Sequence, residues 1–170
     1  MKKLLIVVDM QKDFISGVLG TQQAQEIIPA VLARIENAKE QGETIVFTRD
    51  THEENYLSTQ EGKNLPVVHC VKGTDGWQID ERIYSDGFKI FDKGTFGSID
   101  LAKYVYDGAF DSVELIGVCT DICVISNAML IKAFCPEISV SVRSNCCAGV
   151  TPDSHNNALK AMATCQIKIL

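Results

Sequence analysis

Positive charge is in short supply in this sequence: 16 lysines and arginines stand against 22 aspartates and glutamates, a net charge of −6. Neutralising phosphates carries much of nucleic-acid affinity, so a chain with no basic excess is not expected to bind nucleic acid. Long apolar runs are also missing. None approaches the roughly 20 residues of a membrane span. Met1-Lys2-Lys3 followed by Leu4–Val8 has the outline of a secretion signal. The apolar stretch is too short for one and meets Asp9 at once. No Gly-rich phosphate loop follows Leu4–Val8, which argues against a nucleotide-binding protein on this kind of sheet. Repeats, linkers and low-complexity segments are absent, and 170 residues suit one domain, 1–170. Cysteine is plentiful, but Cys-x-x-Cys is not found. The seven cysteines are odd in number, irregularly spaced and mostly in apolar surroundings. A chain of this length does not need disulfides. The reading is a reducing cytoplasm, with most thiols acting as small buried hydrophobes. Cys146 and Cys147 are adjacent and are not expected to pair. Cys119 and Cys123 are four apart, outside the common metal and redox spacing.

What is present is a globular composition, 46% hydrophobic and 22% charged, arranged as alternating short apolar runs and amphipathic stretches. Strands are predicted at Leu4–Val8, Thr44–Thr48, Phe88–Phe91, Ser112–Ile116, Ile138–Val142 and Gln166–Ile169. Their short, unalternating character fits strands covered on both faces. Pro29 to Gln41 predicts a helix, with Val31, Leu32, Ile35 and Ala38 on one face, Pro29 near its start and Gly42 as its stop. A shorter helical pattern runs over Leu101–Tyr106, and a strong one over Ile122–Phe134. Thr151-Pro152-Asp153 announces a last helix. The expected fold is α/β: a doubly wound, mostly parallel six-stranded sheet with helices on both faces. Thr51 to Gly87 is one long irregular stretch, and loops of that length in compact domains are usually functional.

In such a sheet, ligands bind beyond the carboxyl ends of the strands. Asp9, Asp50, Lys93 and Cys123 all fall there. Cys123 opens a helix, where unpaired N–H groups and the helix dipole favour an anion; its thiol is expected to lose its proton more readily than usual. A carboxylate, an ammonium and a thiol in contact make an activated nucleophile. Asp9 can take the thiol proton, Lys93 can stabilise anions, and the backbone N–H groups of Cys119 and Cys123 can hold an oxyanion.

Three segments carry a resemblance. Asp9-Met10-Gln11-Lys12-Asp13-Phe14 resembles the opening Asp-x-Gln-x-Asp-Phe of the isochorismatase-like cysteine hydrolases. Lys93-Gly94-Thr95-Phe96-Gly97-Ser98 resembles their lysine segment, and Gly117 to Cys123 their Gly-x-x-Thr-Asp-x-Cys nucleophile motif. The match spans nearly the whole chain and is nearest to the nicotinamidases. The resemblance implies a catalytic triad of Asp9, Lys93 and Cys123, an oxyanion hole at Cys119 and Cys123, and a cis Val118–Cys119 peptide. It also implies hydrolysis of a small carboxamide, nicotinamide first, through a thioester.

Asp50-Thr51-His52, with His69 across the irregular stretch, offers two imidazoles and a carboxylate to an ion such as Zn²⁺, Mn²⁺ or Fe²⁺. By the resemblance these are metal ligands and Glu61 is the best match for the fourth, with Glu53 and Glu54 as alternatives. No organic cofactor is called for. Such a metal would bind a pyridine nitrogen and aim the carboxamide at Cys123. Isochorismatases proper generally lack this set. Relatives often carry an aromatic residue and prolines before the second histidine, where this chain has Leu65-Pro66-Val67-Val68. Phe14, Phe96 and Ile122 are the expected substrate contacts, with Trp77 as a further candidate ring wall. His155, in the first turn of the last helix and away from every motif, reads as structural or exposed. Partners are expected to be the small-molecule amide and other copies of the chain, a dimer or tetramer. Two alternatives remain open: another hydrolase of the superfamily, acting on a ureido compound, another small amide or a vinyl ether, or a non-catalytic redox-sensing domain.

Overall fold

Apolar runs that alternate sides along the pleat bury two faces at once, and this sets the architecture. The structure, a computed structural model, describes residues 1–84 and 87–170. In β1 (Lys3–Val8), Leu4, Ile6 and Val8 point into one core and Leu5 and Val7 into the other. The first core also takes Leu101 and Val105 from α5 (Ile99–Gly108), Ala128 and Ile131 from α6 (Ile125–Phe134) and Met162 from α7 (Pro152–Thr164). The second is closed by α2 (Gln22–Glu26) and by Ile28, Val31, Ile35 and Ala38 of α3 (Ile28–Glu40). No helix of the described residues is long and apolar enough to cross a membrane.

The other strands are β2 (Thr44–Asp50), β3 (Lys89–Lys93), β4 (Ser112–Val118), β5 (Ser139–Ala148) and β6 (Lys168–Ile169). They form one parallel sheet in the order β3-β2-β1-β4-β5-β6. The order reverses between β1 and β4, and the crevice beyond their carboxyl ends is where open sheets of this type bind ligands. All six predicted strands are present. All six differ in extent by one residue or more. β3 runs on to include Lys93, and β5 runs on to Ala148 past a register shift against β4 between Leu115 and Gly117. The irregular stretch is less irregular than expected. A 3₁₀ turn at Tyr56–Ser58 leads into α4 (Gln60–Asn64), and α1 (Lys12–Ile15) precedes α2. Residues 85 and 86 of that stretch lie outside the described residues.

Gly117 lets the two central strands meet. Its φ is +118°, and a β-carbon there would collide with the Val8 carbonyl oxygen. Gly117→Ala is therefore expected to destabilise the fold by at least about 2 kcal/mol, through backbone strain and contact with a rigid neighbour. Chemical denaturation of the purified variant measures this directly.

Candidate active site

The candidate nucleophile does not open an ordinary α-helix. β4 leads through a cis Val118–Cys119 peptide into a π-helical turn, Thr120–Val124, and α6 begins only at Ile125. Cys123 lies in this turn, almost fully buried. Beside it, Asp9 follows β1 with a φ of +47°, a left-handed conformation that aspartate tolerates better than most residues. Lys93 ends β3. Its Nζ lies 2.7 Å from Asp9 Oδ2, 3.4 Å from Cys123 Sγ and 3.3 Å from Asp50 Oδ1. The structure thus brings together three residues up to 114 positions apart in sequence.

Burial sets the electrostatics. Desolvation pushes the Asp9 carboxyl above its usual range, against the pull of the Lys93 ammonium. Desolvation also works against the Lys93 charge, but Asp9, Cys123 and Asp50 outweigh it and hold the amine protonated. The Cys123 thiol is raised well above its ordinary value, by desolvation first and the Asp9 charge next. This corrects the expectation of a readily ionised thiol. A helix N-terminus lowers a thiol pKa when water or a cation prevails, whereas here a dry site with a neighbouring carboxylate prevails. The resting pair is a thiol beside a carboxylate. Asp9 Oδ1 accepts from Thr48 Oγ1 at 2.6 Å, while Oδ2, though near Lys93, has no aligned hydrogen-bond donor among the described residues. That oxygen can receive the thiol proton.

Asp50 is shared between this group and a second one. Its other oxygen, Oδ2, lies 3.0 Å from His52 Nε2 and 3.6 Å from His69 Nε2. Glu61 Oε1 lies 3.6 Å from His52 Nε2 and 4.0 Å from His69 Nε2. One donor atom from each of Asp50, His52, Glu61 and His69 falls within 4.8 Å of every other. His69 Nδ1 is 2.7 Å from the Val67 carbonyl. A proton on Nδ1 bonds that oxygen and leaves the Nε2 lone pair bare, as in metal-ligating histidines. Two imidazole nitrogens and two carboxylate oxygens, mostly buried, fit a divalent cation. Glu53 and Glu54 are exposed and stand outside the cluster. Glu61 is brought in by α4, whose first turn is capped by Thr59 Oγ1 accepting from Gly62 N.

Both groups open into one cavity of about 580 Å³, lined among others by Phe14, Phe96, Ile122, Cys119 and Leu65. Phe14 packs edge-on to His69, with ring centroids 5.6 Å apart. Trp77 is not part of this wall. Its ring stacks on the Arg49 guanidinium and its Nε1 donates to Thr51 Oγ1.

Four supporting residues were not assigned roles from sequence. Gln11 Nε2 donates to the Asp50 and Trp77 carbonyls, and its Oε1 accepts from Asp50 N. Asp13 Oδ2 accepts from Cys70 N at 2.8 Å and so fixes the residue after His69. Asn127 donates to the carbonyls of Cys123 and Phe96 and accepts from Ser98 N, tying the Lys93 loop to the nucleophile turn. His155, read as remote, touches that turn: its Nδ1 lies 2.8 Å from Thr120 Oγ1. Gln11 and Asp13 were within the quoted motif. Asn127 and His155 gave no local signal.

The family model for the isochorismatase domain matches residues 3–170. A nicotinamidase of Saccharomyces cerevisiae is 31% identical over 173 residues, covering 75% of this chain and 80% of that protein. A nicotinamidase/pyrazinamidase of Mycobacterium tuberculosis is 26% identical, covering 99% and 98%. The pyrazinamidase of Pyrococcus horikoshii, solved in complex with zinc, superposes with a TM-score of 0.88 at 31% identity, over 100% of this chain and 99% of that one.

Proposed function

The chain belongs to the isochorismatase family and is a hydrolase of amide C–N bonds, and from that premise we propose that it converts nicotinamide to nicotinate and ammonia through a thioester on Cys123. The observation that carries this reading is the contact of Lys93 with both Asp9 and Cys123, joined through Asp50 to the Asp50/His52/Glu61/His69 cluster.

The geometry supports the following steps. Asp9 takes the Cys123 proton as the sulfur attacks the carboxamide carbon, so no free thiolate has to exist in the dry site. The carbonyl oxygen becomes an oxyanion, received by the backbone N–H groups of Cys119 and Cys123. Lys93 stays an ammonium throughout and balances the negative charge passing between sulfur and carboxylate. Asp9 gives the proton to the departing nitrogen and ammonia leaves. Asp9, again a carboxylate, draws a proton from the water that attacks the thioester carbon, and passes it to the departing sulfur, which frees the acid and restores the thiol and the Asp9 carboxylate. Asp50, His52, Glu61 and His69 would hold Zn²⁺, Mn²⁺ or Fe²⁺, a Lewis acid that supplies an anchor for a pyridine nitrogen.

Metal removal distinguishes ring-nitrogen substrates from others. Treatment with a strong chelator is expected to lower kcat/KM on nicotinamide roughly tenfold or more, about 1.4 kcal/mol of lost binding. Added Zn²⁺, Mn²⁺ or Fe²⁺ restores it. Hydrolysis of benzamide, which has no ring nitrogen to anchor, should change little. Ammonia release is the readout, and equal losses on both substrates would reject the anchor.

The cavity supports a second reading. About 580 Å³ lies in the range that encloses drug-sized ligands, and Leu65 makes one part of its wall aliphatic. A larger amide is the alternative occupant. Ammonia release from a panel of nicotinamide, a fused-ring aryl carboxamide and an N-carbamoyl compound decides the matter. The proposal expects the highest kcat/KM on nicotinamide. Clear preference for another member, or no release from nicotinamide in metal-replete protein, would reject it.

A further inference from the structure

One polar contact reaches the candidate nucleophile turn from a distant part of the chain and is used by none of the steps above. Thr120, fully buried, stands between Cys119 and Asp121 at the head of the π-helical turn. Its Oγ1 lies 2.8 Å from Nδ1 of His155, in the first turn of α7. The arrangement suits a hydroxyl donating to the bare nitrogen of a neutral imidazole. Desolvation lowers the His155 pKa against the opposing charge of Asp121, so the ring is neutral at pH 7. Its place at the positive end of α7 works in the same direction.

The ring is held from its own side too. Thr151 caps α7 by a reciprocal pair of bonds with Ser154. Gly149 packs so closely on His155 that a β-carbon there would lie 2.9 Å from its Cα and Cβ. A second tie runs parallel to the first, with Val150 N donating to Asp121 Oδ1 at 3.1 Å. The turn is thus bonded through two successive side chains to a segment anchored on β5 and α7.

We propose that His155 is a positioning residue, which through Thr120 holds the 119–124 turn so that the Cys119 and Cys123 N–H groups face the reacting carbonyl. This rests on the amide-hydrolase reading for its catalytic consequence, though not for its structural one. Oxyanion donors act only on charge that develops in the transition state, so a loosened turn lowers kcat and leaves KM nearly unchanged.

The test compares wild type with His155→Ala, His155→Asn, Thr120→Val and the His155→Ala/Thr120→Val double variant. Amide hydrogen exchange across 119–124, steady-state kinetics on the amide turned over fastest, and Tm are measured on each. His155→Ala is expected to speed exchange in the turn and to lower kcat, each about tenfold, with KM within about twofold. Asparagine, which places an acceptor oxygen near the Nδ1 position, restores both. Thr120→Val matches His155→Ala, and the double variant is no worse than either, because one bond is lost only once. Unchanged exchange in His155→Ala, additive losses in the double variant, or exchange raised evenly across the chain along with a fallen Tm would each overturn the proposal. If the wild type hydrolyses no amide, the catalytic reading fails while exchange in the turn still decides whether His155 holds it.

Discussion

Cys123→Ala is expected to lower kcat on nicotinamide by at least about 10³-fold, with the fold intact. In the proposed mechanism the change removes the only atom that bonds covalently to the substrate. It trims a small, nearly buried side chain from the edge of a core, a loss of about 1 kcal/mol in stability. The informative control is the other cysteine of the motif. Cys119 lines the same cavity, and burial pushes its thiol up to about 12, so it stays protonated and inert. The mechanism asks only for its backbone N–H. Cys119→Ala keeps that group and should retain kcat within a few-fold. Ammonia release by the two variants, with Tm measured alongside, checks the contrast. Similar losses in both would mean that the sulfur of Cys123 has no special part.

Asp9→Asn comes second in expected effect, at least about 10²-fold in kcat. Asparagine has nearly the same shape but cannot take a proton from a thiol that burial keeps protonated. The change also leaves the buried Lys93 ammonium with Asp50 as its remaining carboxylate contact, so some loss of stability accompanies it. The pH dependence carries a sign. Asp9 must be ionised to act, and desolvation raises its pKa above the ordinary value. Below that raised pKa the base is protonated and kcat/KM falls. Activity should therefore climb with pH through a value above about 3.9, the usual aspartate pKa, and then level off. In Asp9→Asn the residual rate should lose this acid limb. A rate profile of metal-replete protein from acid to neutral pH, wild type beside variant, makes the measurement.

Much of this was legible in the sequence because the informative features are local. Short apolar runs marked every strand, since both faces of a parallel sheet are dry and the pattern loses its alternation. Asp9 directly follows β1 as expected, while Asp50 and Lys93, expected two residues past their strands, are the last residues of β2 and β3. β5 was underestimated because Arg143, Ser144 and Asn145 look like a loop. Arg143 is instead paired with Glu114 across the sheet, at 2.7 Å, and the strand continues beneath it. The choice among Glu53, Glu54 and Glu61 depended on α4, a helix of five residues too short to show a period.

The electrostatics were not legible in the same way. Placing Cys123 near a helix start was right in outline, yet the sign of its pKa shift depends on burial. That is a property of the packed site and not of the motif. The His155 contact illustrates the other limit. Thr120 and His155 are 35 residues apart, and a lone histidine on the first turn of a helix looks the same whether it faces water or a buried hydroxyl.

A single-turnover experiment tests the central claim most directly. Metal-replete protein in excess over nicotinamide is quenched in acid along a rapid time course, and the digested chain is weighed. The account predicts that a pyridine-3-carbonyl group appears and then decays on the peptide carrying Cys123, with no such adduct in Cys123→Ala. Nicotinate formed while that peptide stays unmodified at every time point, or an acyl group carried by any other residue, would contradict it.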